Sequence, residues 1–543
     1  MTVERRLRPE GMRRLYPLDR RRDRRPLAAL ALLTLALLGV RALSAIVVAQ
    51  PGYTDAYYYA VVAERLAHGH GLTADFVWNF LEAPQFAALP VASHRFWMPL
   101  ASIVPAAGIA IGGGAVGDFR AGQIALILVA ACIPLVTFAA ARSLGTSASW
   151  SLVAATVAGL GGAFAPGWVS IDSFGIAAVL GTSFFLAYAR AARGSVRAGL
   201  VAGLLVGLLH LARAEGALFG LVLLPLLGRR RTRRAGAVGT AVALAIGLGW
   251  LVRGALLTYP EDLVARAMLL VRYEDFFAIE PPTLAGFLAA PLIVLTAKLG
   301  ALVTNAYTVA FLLLFVPIVP IVVAVRRRPD EPGARAFLVL AVLIYLVESL
   351  VFTLHSVKGS FPHAFASFFP FAVALAAAGA EHLFAGSTLG MRRLVMVMSV
   401  AVFAAFSAFF VADWDDLFNT PYRDRLAAAA LLPPGALVAR DAAAWRWLTG
   451  RETVVAPTDG ERAASCVAEI YLAETLILEP APSTAYGTLY GSERSEYFTL
   501  LAERGGIRLY EPNSEQRCII AGSAAKPPLL YAGGRPPAGT PLP

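Results

Sequence analysis

Residues 27–59 read LAALALLTLALLGVRALSAIVVAQPGYTDAYYY, an apolar run followed by a polar, tyrosine-rich stretch. The run, 27–49, carries one charge, Arg41. About 20 apolar residues cross a bilayer as a helix, so this run reads as a membrane span. Similar blocks recur to about Val411 and then stop. The chain has 543 residues, of which 58% are hydrophobic and 15% charged. Soluble domains carry about 25% charged residues. The expected fold class is therefore mostly α, a polytopic transmembrane helical bundle.

The net charge of +11 does not read as a nucleic-acid footprint, because its distribution follows membrane topology. Residues 1–26 hold ten Arg, and further clusters (Arg229–Arg231 with Arg233 and Arg234, Arg326–Arg328, Arg392 with Arg393) separate apolar blocks. Short basic loops stay in the cytoplasm. Placing all of them there predicts about 11 spans over 27–411, a cytoplasmic N-terminus, and outer loops at 50–118 and 255–290. The first span is a retained signal anchor, since no small-residue cleavage site follows it before Gln50. The apolar run Pro99–Gly114 is short and rich in Gly and Pro, and reads as interfacial or re-entrant. If it spanned, the Arg229–Arg234 cluster would invert to the outside.

The stretch 412–543 has 12 Lys+Arg against 16 Asp+Glu. Ala436–Ala439, Val454–Pro457 and Thr475–Glu479 read as short strands, with helical spacing over 461–473 between the last two. A small extracytoplasmic α/β domain over 412–525 is expected, followed by a disordered Pro/Gly-rich tail, 526–543. Cys132 reads as packing. Cys466 and Cys518 could pair if the domain lies in an oxidising compartment.

Asp55 lies just past the first span, at headgroup depth. An ionised carboxylate there can take a proton from an attacking hydroxyl. The alternative is a helix cap inside an aromatic belt. Tyr57 and Tyr58 suit an interface and can stack on sugar rings. His94, Arg95 and Trp97 close the same loop. Arg213 and Glu215 sit at a hairpin tip between apolar helices, either paired to each other or functional. His355, Lys358 and His363 flank another outer turn and offer cations to a phosphate. His210 and Glu348 lie deeper and read as packing. His68-Gly69-His70-Gly71 is a flexible turn rather than a metal site, since nothing completes a ligand set. No Walker loop, dinucleotide glycine motif or zincin motif occurs.

Several stretches together resemble the GT-C superfamily of integral-membrane glycosyltransferases, in particular bacterial relatives of dolichyl-phosphate-mannose–protein mannosyltransferases and of lipid A aminoarabinose transferases. They are Asp55–Tyr59, Glu64–Gly71, Arg95–Leu100, Ile171–Phe174, Leu211–Gly216 and Lys358–His363, with Pro433-Pro434-Gly435 and Leu448–Arg451 in the C-terminal part. Their order and placement carry the resemblance. It implies transfer of a sugar from a polyprenyl-phosphate-linked donor to an extracytoplasmic glycan, lipid or protein acceptor, with inversion. It also implies a catalytic pair: Asp55 as the base, with Asp172 a second acidic residue that helps form the site. Arg213, Lys358 and His363 become candidates for the donor phosphate. Tyr57, Tyr58, His94, Arg95, Trp97 and Glu215 become candidates for substrate. Many protein mannosyltransferases have two adjacent acidic residues where this chain has Asp55-Ala56, which leaves the acceptor class and a divalent cation open. The partners expected are the donor lipid, the acceptor and membrane lipids, with no nucleic acid, and the location is the cell membrane. The rivals are a transporter or flippase of envelope glycolipids, marked by mid-membrane charges and repeated halves, and a non-catalytic glycolipid-binding scaffold.

Overall fold

The computed structural model describes residues 24–81, 88–95, 97–257, 263–279, 282–315, 317–480 and 484–513. Nearly all of the basic N-terminus, the tail from 526, and Cys518, hence its pairing with Cys466, lie outside the described residues.

Seven helices are long and apolar enough to cross a membrane: Arg25–Val47, Asp118–Ser143, Phe174–Ala191, Arg233–Leu256, Pro291–Leu312, Pro332–Leu350 and the apolar part of Leu389–Ala429. An eighth is a bent pair, Thr353–Ala366 with Phe369–Leu383, turned by 63°. The third, fifth and sixth expected spans, about 149–165, 198–212 and 215–228, fall on shorter apolar helices, Ala148–Leu160, Val196–Ala212 and Ala214–Leu227. The chain is a multi-pass membrane protein. The Pro99–Gly114 run forms the helix Leu100–Val116, 17 residues long. At 1.5 Å per residue it falls about 5 Å short of a ~30 Å hydrocarbon core.

Lipid offers no hydrophobic drive between helices, so close backbone approach has to hold them. Val196–Ala212 meets Arg233–Leu256 through Gly199, Gly203 and Gly207, spaced one helical turn apart. A Cβ on Gly203 would lie 2.1 Å from the Gly239 carbonyl oxygen, and one on Gly199 would lie 2.3 Å from that of Ala235. The one charge of the first span, Arg41, is buried and donates from Nη2 to the Gly159 carbonyl at 3.1 Å.

One expected loop and one expected span are different. The turn His355–Ser360 is helical: Thr353–His355, a π turn Ser356–Ser360 and Phe361–Ala366 run on from one another. Gly359, at φ 129°, takes up the kink, so this glycine bends a helix. Expected span eight, about 300–325, begins at Pro291 and breaks after Leu312, where Leu314 and Phe315 adopt positive φ ahead of Pro317, and resumes at Ile318–Arg327.

The last membrane helix does not end where its apolar residues end. Leu389–Trp414 passes through a π turn, Asp415–Asn419, into Thr420–Ala429. The sheet beyond it is shared with the 50–118 segment. In chain order the strands are β1 (Thr73–Ala74), β2 (Phe76–Val77), β3 (Val91–Ala92), β4 (Ala436–Ala439), β5 (Thr453–Val455), β6 (Ala473–Leu478), β7 (Phe498–Arg504) and β8 (Ile507–Pro512). β1 and β3 pair alone, and the others form one six-stranded sheet, β2-β5-β4-β6-β8-β7. Its first four strands are parallel, and β8 and β7 are antiparallel additions. The helices Ala442–Thr449 and Glu461–Ile470 lie between the parallel strands in sequence, as an α/β region requires. One apolar core then runs from Tyr57–Val62 through Phe76 and Val77 to Val438, Val454 and Leu476. Polar staples reinforce it: Arg446 Nε reaches Asp75 at 2.8 Å, and Arg65 Nη1 reaches the same carboxylate at 2.8 Å. The segment that bears Asp55 is thus fixed against both the bundle and the sheet.

Candidate active site

A cavity of about 790 Å³ lies where the bundle, the 50–118 segment and the 263–279 segment meet. Asp55, Arg213, Glu215, Lys358 and His363 all line it, as do Arg95 and Trp97. Residues from four separate stretches of chain therefore share one space.

Asp55 stands in the first turn of the helix Thr54–Ala67, whose N-cap is Tyr53. It is not the cap, and it is half-buried at the cavity wall. Burial pushes its carboxyl up to about 6; His363 pulls it down, Asp172 raises it, Arg213 lowers it and Asp441 raises it. A carboxylate that titrates near neutrality is well matched to take up a proton.

Asp172 is buried and does not belong to the cavity wall; it stands behind it. Its Oδ2 accepts from the Tyr53 hydroxyl at 2.5 Å and lies 2.9 Å from His363 Nε2, while Ser173 N–H donates to Oδ1. Burial alone would raise this carboxyl. The His363 charge outweighs it together with hydrogen bonds from His363, Tyr53 and Ser173, and Asp172 stays below the usual range. His363 Nδ1 lies 2.7 Å from the Gly359 carbonyl. A carbonyl and a carboxylate oxygen both accept, so this pair of contacts favours a proton on each ring nitrogen of His363. It also stacks on Phe174, with centroids 3.9 Å apart. Asp172 thus joins Tyr53 to His363 behind the wall.

Arg213 follows the helix Val196–Ala212 in an extended conformation, and the chain then winds as a 3-10 helix over Ala214–Leu223. Gly216 packs so tightly that a Cβ there would lie 2.3 Å from Leu209 C, and Arg213 and Glu215 just before it both line the cavity. Arg213 Nε donates to Glu215 Oε1 at 2.6 Å, and Nη2 donates to Ser360 O and Oγ at 3.2 and 2.9 Å. Both readings of the pair hold at once: it is an ion pair and it lines the cavity. Lys358 is exposed, lies 4.7 Å over the Tyr273 ring and forms no ion pair among the described residues. Of the three cations it is the uncommitted one.

Tyr57, Tyr58 and His94 do not line the cavity. Tyr57 donates to Gln50 Oε1 at 2.7 Å and packs on Trp447. The Tyr58 hydroxyl accepts from His94 N–H at 2.6 Å. His94 is buried, so its imidazole is pushed down to about 3 and stays neutral. On a helix, residues i and i+4 share a face, so the partner of Asp55 is Tyr59, which does line the cavity. That spacing was readable in the sequence. Tyr53, Tyr273 and Ser360 are further wall residues that the sequence did not single out, and Glu348, read as packing, lines the cavity too. Trp97 lines it while stacked on Trp78 at 3.9 Å, and Arg95 lines it while donating to the Leu257 carbonyl at 3.1 Å. Among the described residues, no three His, Cys, Asp or Glu side chains group as a metal-ligand set.

The fold is shared, at low sequence identity, with solved structures. ArnT from Cupriavidus metallidurans shares the fold over 89% of this chain and 97% of its own, with 14% identity and a TM-score of 0.55. The same protein bound to undecaprenyl phosphate matches over 90% and 98%, with 13% identity and a TM-score of 0.54. The oligosaccharyltransferase of Archaeoglobus fulgidus matches over 90% of this chain and 74% of its own, with 13% identity and a TM-score of 0.52. No protein-family model and no curated protein matches the chain.

Proposed function

We propose that the chain is a membrane glycosyltransferase that moves a sugar from a polyprenyl-phosphate-linked donor to a glycan, lipid or protein acceptor outside the cytoplasm. The observation that carries the reading is a single cavity whose wall brings Asp55 together with Arg213, Lys358 and His363, with Glu215 as the ion-pair partner of Arg213. Its apolar side, with Phe164, Phe410, Leu417 and Phe418, suits an isoprenoid chain. ArnT, which shares the fold, has been solved with undecaprenyl phosphate.

The acceptor hydroxyl oxygen bonds to the anomeric carbon while Asp55 takes its proton. The bond from that carbon to the phosphate oxygen breaks on the opposite face, which inverts the centre. Its electron pair leaves on polyprenyl phosphate, whose charge meets Lys358 first, with Arg213 and His363 beside it. Cations placed where charge develops are often the largest single contribution to such a step. The mid-membrane charges and repeated halves of a transporter are not what forms this site.

Membranes carrying the protein, supplied with labelled polyprenyl-phosphate mannose, glucose or arabinose, test the reading: label should leave one of the three lipids. The same assay checks the base. Asp55 must be ionised to act, and its carboxyl titrates near 6. The rate should therefore rise about tenfold per pH unit below 6 and level off above it. A flat profile between pH 5 and 7 would count against Asp55. The charge pattern also supports an extracytoplasmic C-terminal sheet. A reporter active only in the cytoplasm, fused after Leu542, should stay silent, and a bright signal there would invert the site.

A further inference from the structure

Beside the main cavity lies a smaller one of about 200 Å³, roofed by the C-terminal sheet region. The two share Thr54, Trp78, Tyr273 and Phe277 as walls, so the smaller adjoins the larger as an annex, with Thr54, the chain neighbour of Asp55, on its wall. Its remaining charged wall is Arg425, Arg440, Asp441 and Glu479.

These groups are held firmly. Arg425 Nη2 lies 2.8 Å from Glu479 Oε2 and 3.6 Å from Asp441 Oδ2. Thr54, the neighbour of Asp55, donates from Oγ1 to Asp441 Oδ2 at 3.2 Å, and Trp445 Nε1 donates to Glu479 Oε1 at 2.9 Å. Asp441 also caps the helix Ala442–Thr449. The side chains of Arg425, Asp441 and Glu479 are only 12–16% exposed, and Arg425 Nε has no hydrogen-bond partner among the described residues. A carboxylate offers about four acceptor positions and a guanidinium five donors, so the internal bonds do not exhaust them.

We infer that the annex is the acceptor subsite and takes an uncharged sugar ring by its vicinal hydroxyls. This assignment to the acceptor rests on the glycosyl-transfer reading above. The two cations and two carboxylates balance, so an anionic acceptor group gains no net attraction there. A pair of neighbouring hydroxyls needs both a donor and an acceptor, and the annex offers both side by side. The Trp78 and Tyr273 rings supply the apolar face on which a sugar ring stacks. A ring seated there has its next hydroxyl directed toward Thr54 and Asp55, where the proton is removed.

The test uses the full chain in lipid nanodiscs. Saturation-transfer NMR reads the binding of three neutral disaccharides, built of mannose, glucose and arabinose, and of a decapeptide rich in Ser and Thr. A separate measurement reads the binding of labelled polyprenyl-phosphate mannose, glucose and arabinose. At least one disaccharide should bind the wild type. Asp441→Asn retains the helix cap and should weaken that binding about tenfold, the loss expected for a hydrogen bond to a charged group, with donor binding unchanged. Glu479→Gln gives a second reading of the same effect should the first variant fold poorly. Absence of binding by all three disaccharides, binding of the decapeptide in their place, or binding that neither variant weakens overturns the annex. A wild type that binds disaccharide in the annex but neither binds nor consumes any donor overturns the transferase reading and leaves the annex a saccharide site.

Discussion

Asp55→Asn should lower the transfer rate by about 10²–10⁴-fold, the range expected when general-base help is lost. Asparagine keeps the shape and loses the proton acceptor. The variant should still bind donor, because the phosphate is met by cations on other segments. It should also fold at least as well as the wild type. A carboxyl raised by burial to about 6 stabilises the fold while protonated, fully so below its unfolded value, and loses that contribution as pH rises through 6. At pH 7 the ionised Asp55 is therefore a cost that Asn removes. The helix-cap reading offers no alternative route to a loss, since Tyr53 is the N-cap. Rates measured beside thermal unfolding at pH 7 check this: a fall in rate without a fall in stability is expected, and full activity would remove Asp55 from the mechanism.

Lys358→Met should cost about 10²–10³-fold in kcat/KM, comparable to removing one preorganised charge-stabilising donor. The reason lies in how the three cations are committed. Arg213 is paired with Glu215, and His363 with Asp172. Lys358 forms no ion pair among the described residues and rests over the Tyr273 ring. A phosphate arriving in the cavity displaces least by meeting Lys358. Exposure also keeps its removal from uncovering a buried carboxylate, so stability should hardly change, whereas Arg213→Met leaves Glu215 unpaired and should destabilise as well. Steady-state kinetics with donor varied, alongside donor binding, distinguish the two. Wild-type kcat/KM in Lys358→Met would assign the phosphate to the other two cations.

Much of the bundle was legible because membrane spans are long and apolar and basic loops mark one side. The meeting of Asp55, Arg213, Glu215, Lys358 and His363 around one cavity also follows from their common position at helix ends. Other parts depended on contacts that sequence does not carry. β2 is two residues long, too short to show alternation, and becomes a strand only because β5 lies beside it. His94 was read as a binding residue, yet its surroundings of Tyr58, Tyr59 and Trp97 leave it buried and neutral. Asp172 was read as part of the catalytic pair, and its position one layer behind the wall depends on where Tyr53 and His363 reach. Tyr57 and Tyr58 are a different case. Helical spacing from Asp55 points to Tyr59, and three adjacent tyrosines obscured that.

The most direct measurement uses purified protein in proteoliposomes containing labelled polyprenyl-phosphate sugar, a supplied saccharide acceptor and a count of both products. The account predicts that one free polyprenyl phosphate appears for each sugar bound to acceptor in inverted configuration, and that both fall together by about 10²–10⁴-fold in Asp55→Asn. Movement of intact labelled lipid between leaflets, with no polyprenyl phosphate released from any of the three donors, would contradict it.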